Sequence, residues 1–179
     1  KHSLRFVAFT NEEPPYFAGP EMGSYVYAQG LKRRQESVVG MVCLETMGYY
    51  TTEKGSQKIP GLLKAFYGND IGNFVAFTAN SESREFLKTV LYAFRKQCEF
   101  PSEGLAAPLS FIPDITLSDN RSFWQAGFPA IMVTDTVYLR YKHYHLPTDT
   151  AEKLNYPAFA KVTAGLAEAI WQVAQNQAT

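Results

Sequence analysis

The chain has 179 residues, 46% of them hydrophobic, and its 17 basic and 17 acidic side chains cancel to a formal charge of zero. That balance argues against nucleic acid or an anionic membrane as the principal partner, and no apolar run reaches the roughly 20 residues of a membrane span. The length suits one domain, residues 1–179, with a sizeable core. The first residues carry no signal-peptide pattern, so the compartment stays open on this ground. Cys43 lies in an apolar run and Cys98 at an expected helix end, which predicts free thiols rather than a disulfide framework.

The first element in chain order is an apolar run, Leu4, Phe6, Val7, Ala8 and Phe9, which predicts a buried strand. It ends in Thr10-Asn11 and two adjacent carboxylates, Glu12 and Glu13, before Pro14 and Pro15 stop further regular structure. Ser24 is the expected cap of a helix that runs through Tyr25 and Leu31 to the basic Lys32-Arg33-Arg34. Val38 to Met47 predicts a second buried strand with Glu45 near its end, and Gly48-Tyr49-Tyr50 turns the chain into a polar loop. Phe74 to Ala79 predicts a third. Asn80-Ser81 should cap a helix from about Glu82 to Gln97, with Phe86, Val90, Leu91 and Phe94 on one face.

Within 101–113 a short strand is expected at Leu109 to Ile112. Ser118-Asp119 should cap a short helical piece, 121–125, that Gly127 ends. Ala130 to Thr134 is a further strand, followed by an aromatic, histidine-bearing loop from Tyr138 to His145. From Pro157 to about Asn176 an amphipathic helix closes the chain, with Phe159, Val162, Leu166, Ile170 and Val173 inward. Strands alternating with helices predict an α/β fold: a three-layer sandwich with a mostly parallel mixed sheet between helices.

Glu13, Glu45 and His145 all follow strands, where open α/β sheets place their ligands. Carboxylate and imidazole are donors that zinc accepts. A charge such as Glu45 inside an apolar strand is costly unless it is paired or binds a metal. For the Glu12-Glu13 pair alone, a solvated acidic turn and a catalytic site both fit. The aromatic residues Tyr49, Phe123, Trp124 and Tyr141 suit a pocket for an apolar side chain, and core packing suits Phe123 and Trp124 equally.

Phe6-Val-Ala-Phe-Thr-Asn-Glu-Glu13 with Met22-Gly-Ser24 resembles the "FvaF-x-x-EE … GS" signature of metallopeptidase family 28, the zinc aminopeptidases, glutamate carboxypeptidase II-like enzymes and glutaminyl cyclases. Val42-Cys-Leu-Glu45-Thr-Met-Gly48 is similar to that family's second motif. Leu117-Ser-Asp119, Gly127-Phe-Pro-Ala130 and His145-Leu-Pro-Thr-Asp149-Thr150 are similar to its later region, in order and over nearly the whole chain. The resemblance implies a zinc-dependent exopeptidase, an aminopeptidase acting on peptides, with Glu12 as general base towards a metal-activated water. It implies Glu13 and His145 as ligands of one zinc, Glu45 as ligand of a second, and Tyr144 as stabiliser of the oxyanion. Asp119 and Asp149 fall at positions that support the ligands or fix their loop.

Two ligands that the family carries before this first strand, a His and a bridging Asp, have no counterpart here, and Asn120 stands where a His is common. The resemblance therefore implies a longer parent enzyme with further strands ahead of Leu4, two zinc ions in the intact protein, and an inactive 179-residue chain. A secreted or periplasmic location goes with it. The competing readings are a single-zinc glutaminyl cyclase-like acyltransferase and a non-catalytic peptidase-like binding domain. His143 has no matched role and is expected to be a solvated loop residue.

Overall fold

The structure is a computed structural model that describes residues 1–65, 67–68 and 70–175. Four strands make one sheet: β1 (Met41–Glu45), β2 (Val75–Ala79), β3 (Ser102–Ala106) and β4 (Ala130–Thr134), in the order β1-β4-β2-β3. β1 runs parallel to β4 and β2 parallel to β3, while β2 and β4 are antiparallel. The helices are α1 (Gly23–Arg33), α2 (Arg84–Gln97), α3 (Asn120–Ala126) and α4 (Tyr156–Gln175). This is the expected α/β sandwich with a mixed, mostly parallel sheet.

Strand alternation divides the layers. Val75, Phe77 and Ala79 of β2 and Ile131 and Val133 of β4 point to one face, where Leu87, Val90, Leu91 and Phe94 of α2 meet Val162, Leu166 and Ala169 of α4. On the other face Ala28 and Leu31 of α1 pack with Phe123 and Ala126 of α3 and with Ala130. Burying the larger of these side chains, Val, Leu, Ile or Phe, contributes about 1.5–3 kcal/mol each. Among the described residues, no helix is long and apolar enough to cross a membrane.

Three local expectations are corrected. The run Leu4 to Phe9 is extended but forms no strand, and Phe6 is 92% exposed. A strand needs partners for its backbone groups, and among the described residues β1 pairs only with β4, so this run has no strand pairing with the sheet, although Phe9 packs beneath it. The strand within 101–113 is Ser102–Ala106, not Leu109–Ile112, because its parallel register with β2 from Val75↔Ser102 to Ala79↔Ala106 overrides a sequence with little β-propensity. Ser24 lies inside α1, whose N-cap is Met22, and its hydroxyl meets Ser122 Oγ at 2.9 Å.

The other ends follow the chemistry more closely. Asn80 Oδ1 accepts from Ser83 N at 3.0 Å and so shapes the turn before α2, which begins at Arg84. Gly127 ends α3 with φ of 89°, a conformation glycine enters freely. Of the residues expected inward on α4, Val162 and Leu166 are buried and Val173 packs on the core, while Phe159 and Ile170 are half-buried and the small Gly165, Ala169 and Ala174 fill the remaining contact; Asn176 falls outside the described residues. Both cysteines are free, Cys43 buried and Cys98 half-buried.

The α2–α4 crossing depends on Gly165. A Cβ there would stand 2.5 Å from Cys98 Cβ and 2.8 Å from Phe94 Cε2, so the helices touch where no side chain intervenes. Overpacking of this kind costs typically ~1–3 kcal/mol, so Gly165→Val should lower the urea midpoint accordingly. Ala167→Val, on the exposed side of the same helix, should leave the midpoint within error.

Candidate functional site

Because β1 and β4 are parallel, their carboxyl ends lie together: Glu45 pairs with Thr134 in register, and Asp135 follows. The segment after Phe9 brings Glu12 and Glu13 to this end, and the loop after β4 brings Tyr144 and His145. His145 Nε2 and Glu13 Oε1 stand 3.6 Å apart, across 132 positions of sequence, with side chains 57% and 67% exposed. Two donors about 2 Å from one zinc ion subtend a separation close to this. Among the described residues, no three His, Cys, Asp or Glu side chains gather closely enough to cage a metal by themselves.

The electrostatics favour a cation. Burial raises the Glu12 carboxyl to about 7, reinforced by the charges of Glu45, Glu13 and Asp119 in that order. Glu45 and Asp119 are likewise raised, first by burial. Every charge named as acting on Glu12 is another carboxylate. Asp119 stands at the N-cap of α3 yet makes no capping bond, and its Oδ1 is buried without a partner. Helix capping therefore does not account for it. A cluster of like charges with an orphaned buried oxygen is costly as it stands, and a bound cation would relieve it. Glu13, His145 and Glu45 thus fit part of a zinc ligand set.

Glu45 is oriented by a residue that the sequence reading missed. Buried Ser118 donates to Glu45 Oε2 at 2.8 Å, and Cys43 Sγ lies 3.3 Å from Ser118 Oγ. With the serine proton committed to the carboxylate, Cys43 is the donor to Ser118, consistent with a thiol that burial pushes up to about 12. The alternation of β1, which puts positions 43 and 45 on one face, was the available signal, together with a hydroxyl directly before Asp119.

The backbone is strained where the site is built. Asn11, Thr46 and His145 have φ of 58°, 43° and 58°, each at or beside a carboxylate or imidazole of the site. For β-branched Thr46 this region is a true outlier, and its hydroxyl secures it by donating to Glu45 O at 2.8 Å and meeting Thr134 Oγ1 at 3.1 Å. Tyr144 stacks on His145 with ring centroids 3.8 Å apart. Its phenol is raised by burial and then by Glu45, Glu13 and Glu12, so it keeps its proton.

Around these groups is a cleft of about 530 Å³ whose walls include Tyr49, Tyr141, Asp149 and Phe159. Tyr141 donates to Asp149 Oδ1 at 2.6 Å and packs on Tyr49, which ties Asp149 to the loop. A second, more apolar cavity of about 230 Å³ meets the first at Glu45, Leu117, Val137 and Tyr144. Phe123 and Trp124 are in neither. Phe123 packs against Phe9, Tyr27 and Phe128, and Trp124 donates to Ala130 O at 2.9 Å, because the face of α3 that carries them turns to α1 and β4. For these two, core packing is the outcome. Asn120 is fully buried and donates to Ile115 O, and His143 contacts Thr148 Oγ1.

Known proteins resemble this chain in sequence and in fold. Residues 1–170 match the model of Peptidase family M28. The chain is 39% identical over 166 residues to the Escherichia coli (strain K12) protein YfbL, described as uncharacterized, covering 93% of this chain and 50% of YfbL. It thus spans about half the length of that curated relative. Its fold resembles the LapA aminopeptidase of Legionella pneumophila, with a TM-score of 0.59 at 15% identity over 87% of this chain and 37% of that one. It also resembles an aminopeptidase from Aneurinibacillus sp. strain AM-1, with a TM-score of 0.57 at 18% identity over 87% and 31%. On a family match that covers almost its whole length, the chain belongs to peptidase family M28.

Proposed function

We propose that this chain carries most of the centre of a zinc-dependent exopeptidase that removes N-terminal residues from peptides. The observation that supports it most directly is the 3.6 Å approach of His145 to Glu13, beside a Glu12 carboxyl that feels the charges of Glu45, Glu13 and Asp119. Glu13 and His145 would hold one zinc and Glu45 a second, and the remaining ligands would come from outside the described residues. The twofold greater length of YfbL leaves room for them. Zinc, when bound, supplies the Lewis acidity that makes water a nucleophile near neutral pH and polarises the scissile carbonyl.

The chain's own residues do the rest. Glu12 accepts the proton of the attacking water and returns it to the departing amine; in the metal-free chain burial and neighbouring carboxylates raise its carboxyl to about 7. Tyr144 keeps its proton and donates a hydrogen bond to the oxyanion as charge develops there. Ser118 holds Glu45 in one orientation. The carboxylate cluster attracts the substrate's α-ammonium, and the apolar cavity that begins at Glu45 and Tyr144 receives the side chain of the residue to be removed.

In the full-length protein, Glu12→Gln should lower kcat by ~10² to 10⁴-fold with KM and zinc content nearly unchanged. Glu13→Gln should lower zinc content as well as rate. Turnover of leucine p-nitroanilide beside metal analysis separates the two, and full activity in Glu12→Gln would rule out the mechanism.

A second expectation concerns pH. Glu12, Glu45 and Asp119 hold their protons more tightly folded than unfolded. Their contribution to stability is therefore complete below the ordinary carboxyl value of 4.5 for Glu12 and is lost as pH rises through about 7. With chelator present, melting temperature should fall over that interval, and Glu12→Gln should flatten the fall. A profile identical in the variant would contradict the assignment.

A further inference from the structure

The connection from β1 to β2, residues 46–74, is far longer than the roughly 4–6 residues usual in compact domains, and loops of such length are commonly functional. It supplies walls to both cavities: Met47 and Tyr49 to the cleft, and Ile59, Pro60, Leu63 and Tyr67 to the apolar cavity. Its described residues include one short helical turn, Gly61–Ala65, and no strand, so it is held by bonds from outside.

One side chain does much of this. Arg140 belongs to the loop after β4, five positions before His145, and is only 8% exposed. Its Nε donates to Gln57 Oε1 at 2.7 Å, and its Nη1 donates to Phe74 O at 2.9 Å and Gly72 O at 3.2 Å. The guanidinium also lies over the Phe74 ring, 4.5 Å from its centroid. Gln57 is equally enclosed, and its Oε1 also accepts from Thr136 Oγ1 at 3.0 Å, while Lys58 N donates to Leu139 O. At Gly72 a Cβ would stand 3.1 Å from Arg140 Cδ, so the loop backbone lies directly against this side chain.

Breaking these bonds would leave the enclosed guanidinium charge without its partners, so the arrangement fixes one position for the loop. We infer that Arg140 is the positioning residue that sets the wall of the apolar cavity, and through it which substrate side chains are accepted. Arg140 lines neither cavity and touches no reacting atom; it acts through Gln57 and the 72–74 backbone. The inference rests on the exopeptidase reading for its substrate, but not for the clamp.

The test uses the full-length protein purified with its metal, comparing Arg140→Met with the parent. Two readouts are taken: trypsin nicking at Lys54, Lys58 and Lys64 of the loop, and kinetics on leucyl and alanyl p-nitroanilides. Nicking should accelerate, and KM for the leucyl substrate should rise ~10-fold while kcat and the alanyl KM stay within ~2-fold, the pattern of lost side-chain binding. Arg140→Lys, a single point charge without the planar fork, should recover only part of the effect.

If Arg140→Met does not fold, as judged by circular dichroism, Gly72→Val displaces the guanidinium while leaving its partners in the sequence, and should reproduce the same split. Unchanged nicking overturns the clamp, and an equal loss on both substrates through kcat overturns the selective role. Should the parent protein hydrolyse neither substrate, the exopeptidase reading fails and the selective role with it, and nicking then decides the clamp alone.

Discussion

The parallel pairing of β1 with β4 is the constraint from which the site follows. It sets Glu45 opposite Thr134, and in doing so fixes where two loops leave the sheet together. A slip of one residue would turn Glu45 towards the α2–α4 core and Leu44 into its place. The hydrophobic alternation of β4, with Ile131 and Val133 committed to that core, stops the slip. The fold therefore holds a charged residue in place by means of apolar ones several positions away.

What the pairing brings together is unfavourable until something neutralises it. Glu12, Glu45 and Asp119 all carry raised carboxyl pKa values: burial is the first cause for each, and neighbouring carboxylates add to it for Glu12 and Glu45. Left-handed Thr46 and His145 add backbone strain at the same point. Stability is spent locally here and recovered in the α2–α4 layer, where Phe77 and Phe94 are completely enclosed.

The elements with strong periodicity were legible. β1, β2, β4 and the inward faces of α2 and α4 lie where alternation and 3.6-residue spacing put them, because burial enforces those patterns directly. The convergence of Glu13 with His145 was legible only through the order of motifs, since no local spacing joins residues so far apart. Strand β3 was not legible: Ser-Glu-Gly-Leu-Ala becomes a strand by pairing with β2, a tertiary effect. The run from Leu4 to Phe9 failed in the opposite way, having the composition of a strand without a partner. Arg140 was hidden because an arginine between leucine and tyrosine reads as surface, and only the fold encloses it.

The extended run beside α1 has a consequence for the 179-residue chain in the test tube. Along β1, one row of amide and carbonyl groups meets no strand among the described residues, and Leu44, Phe6 and Val7 leave greasy surface open to water nearby. Such an edge is a template for any extended segment that reaches it, including one from another copy of the same molecule. Whether molecules of this kind stay apart is thus a question put to the rim of the sheet rather than to its core.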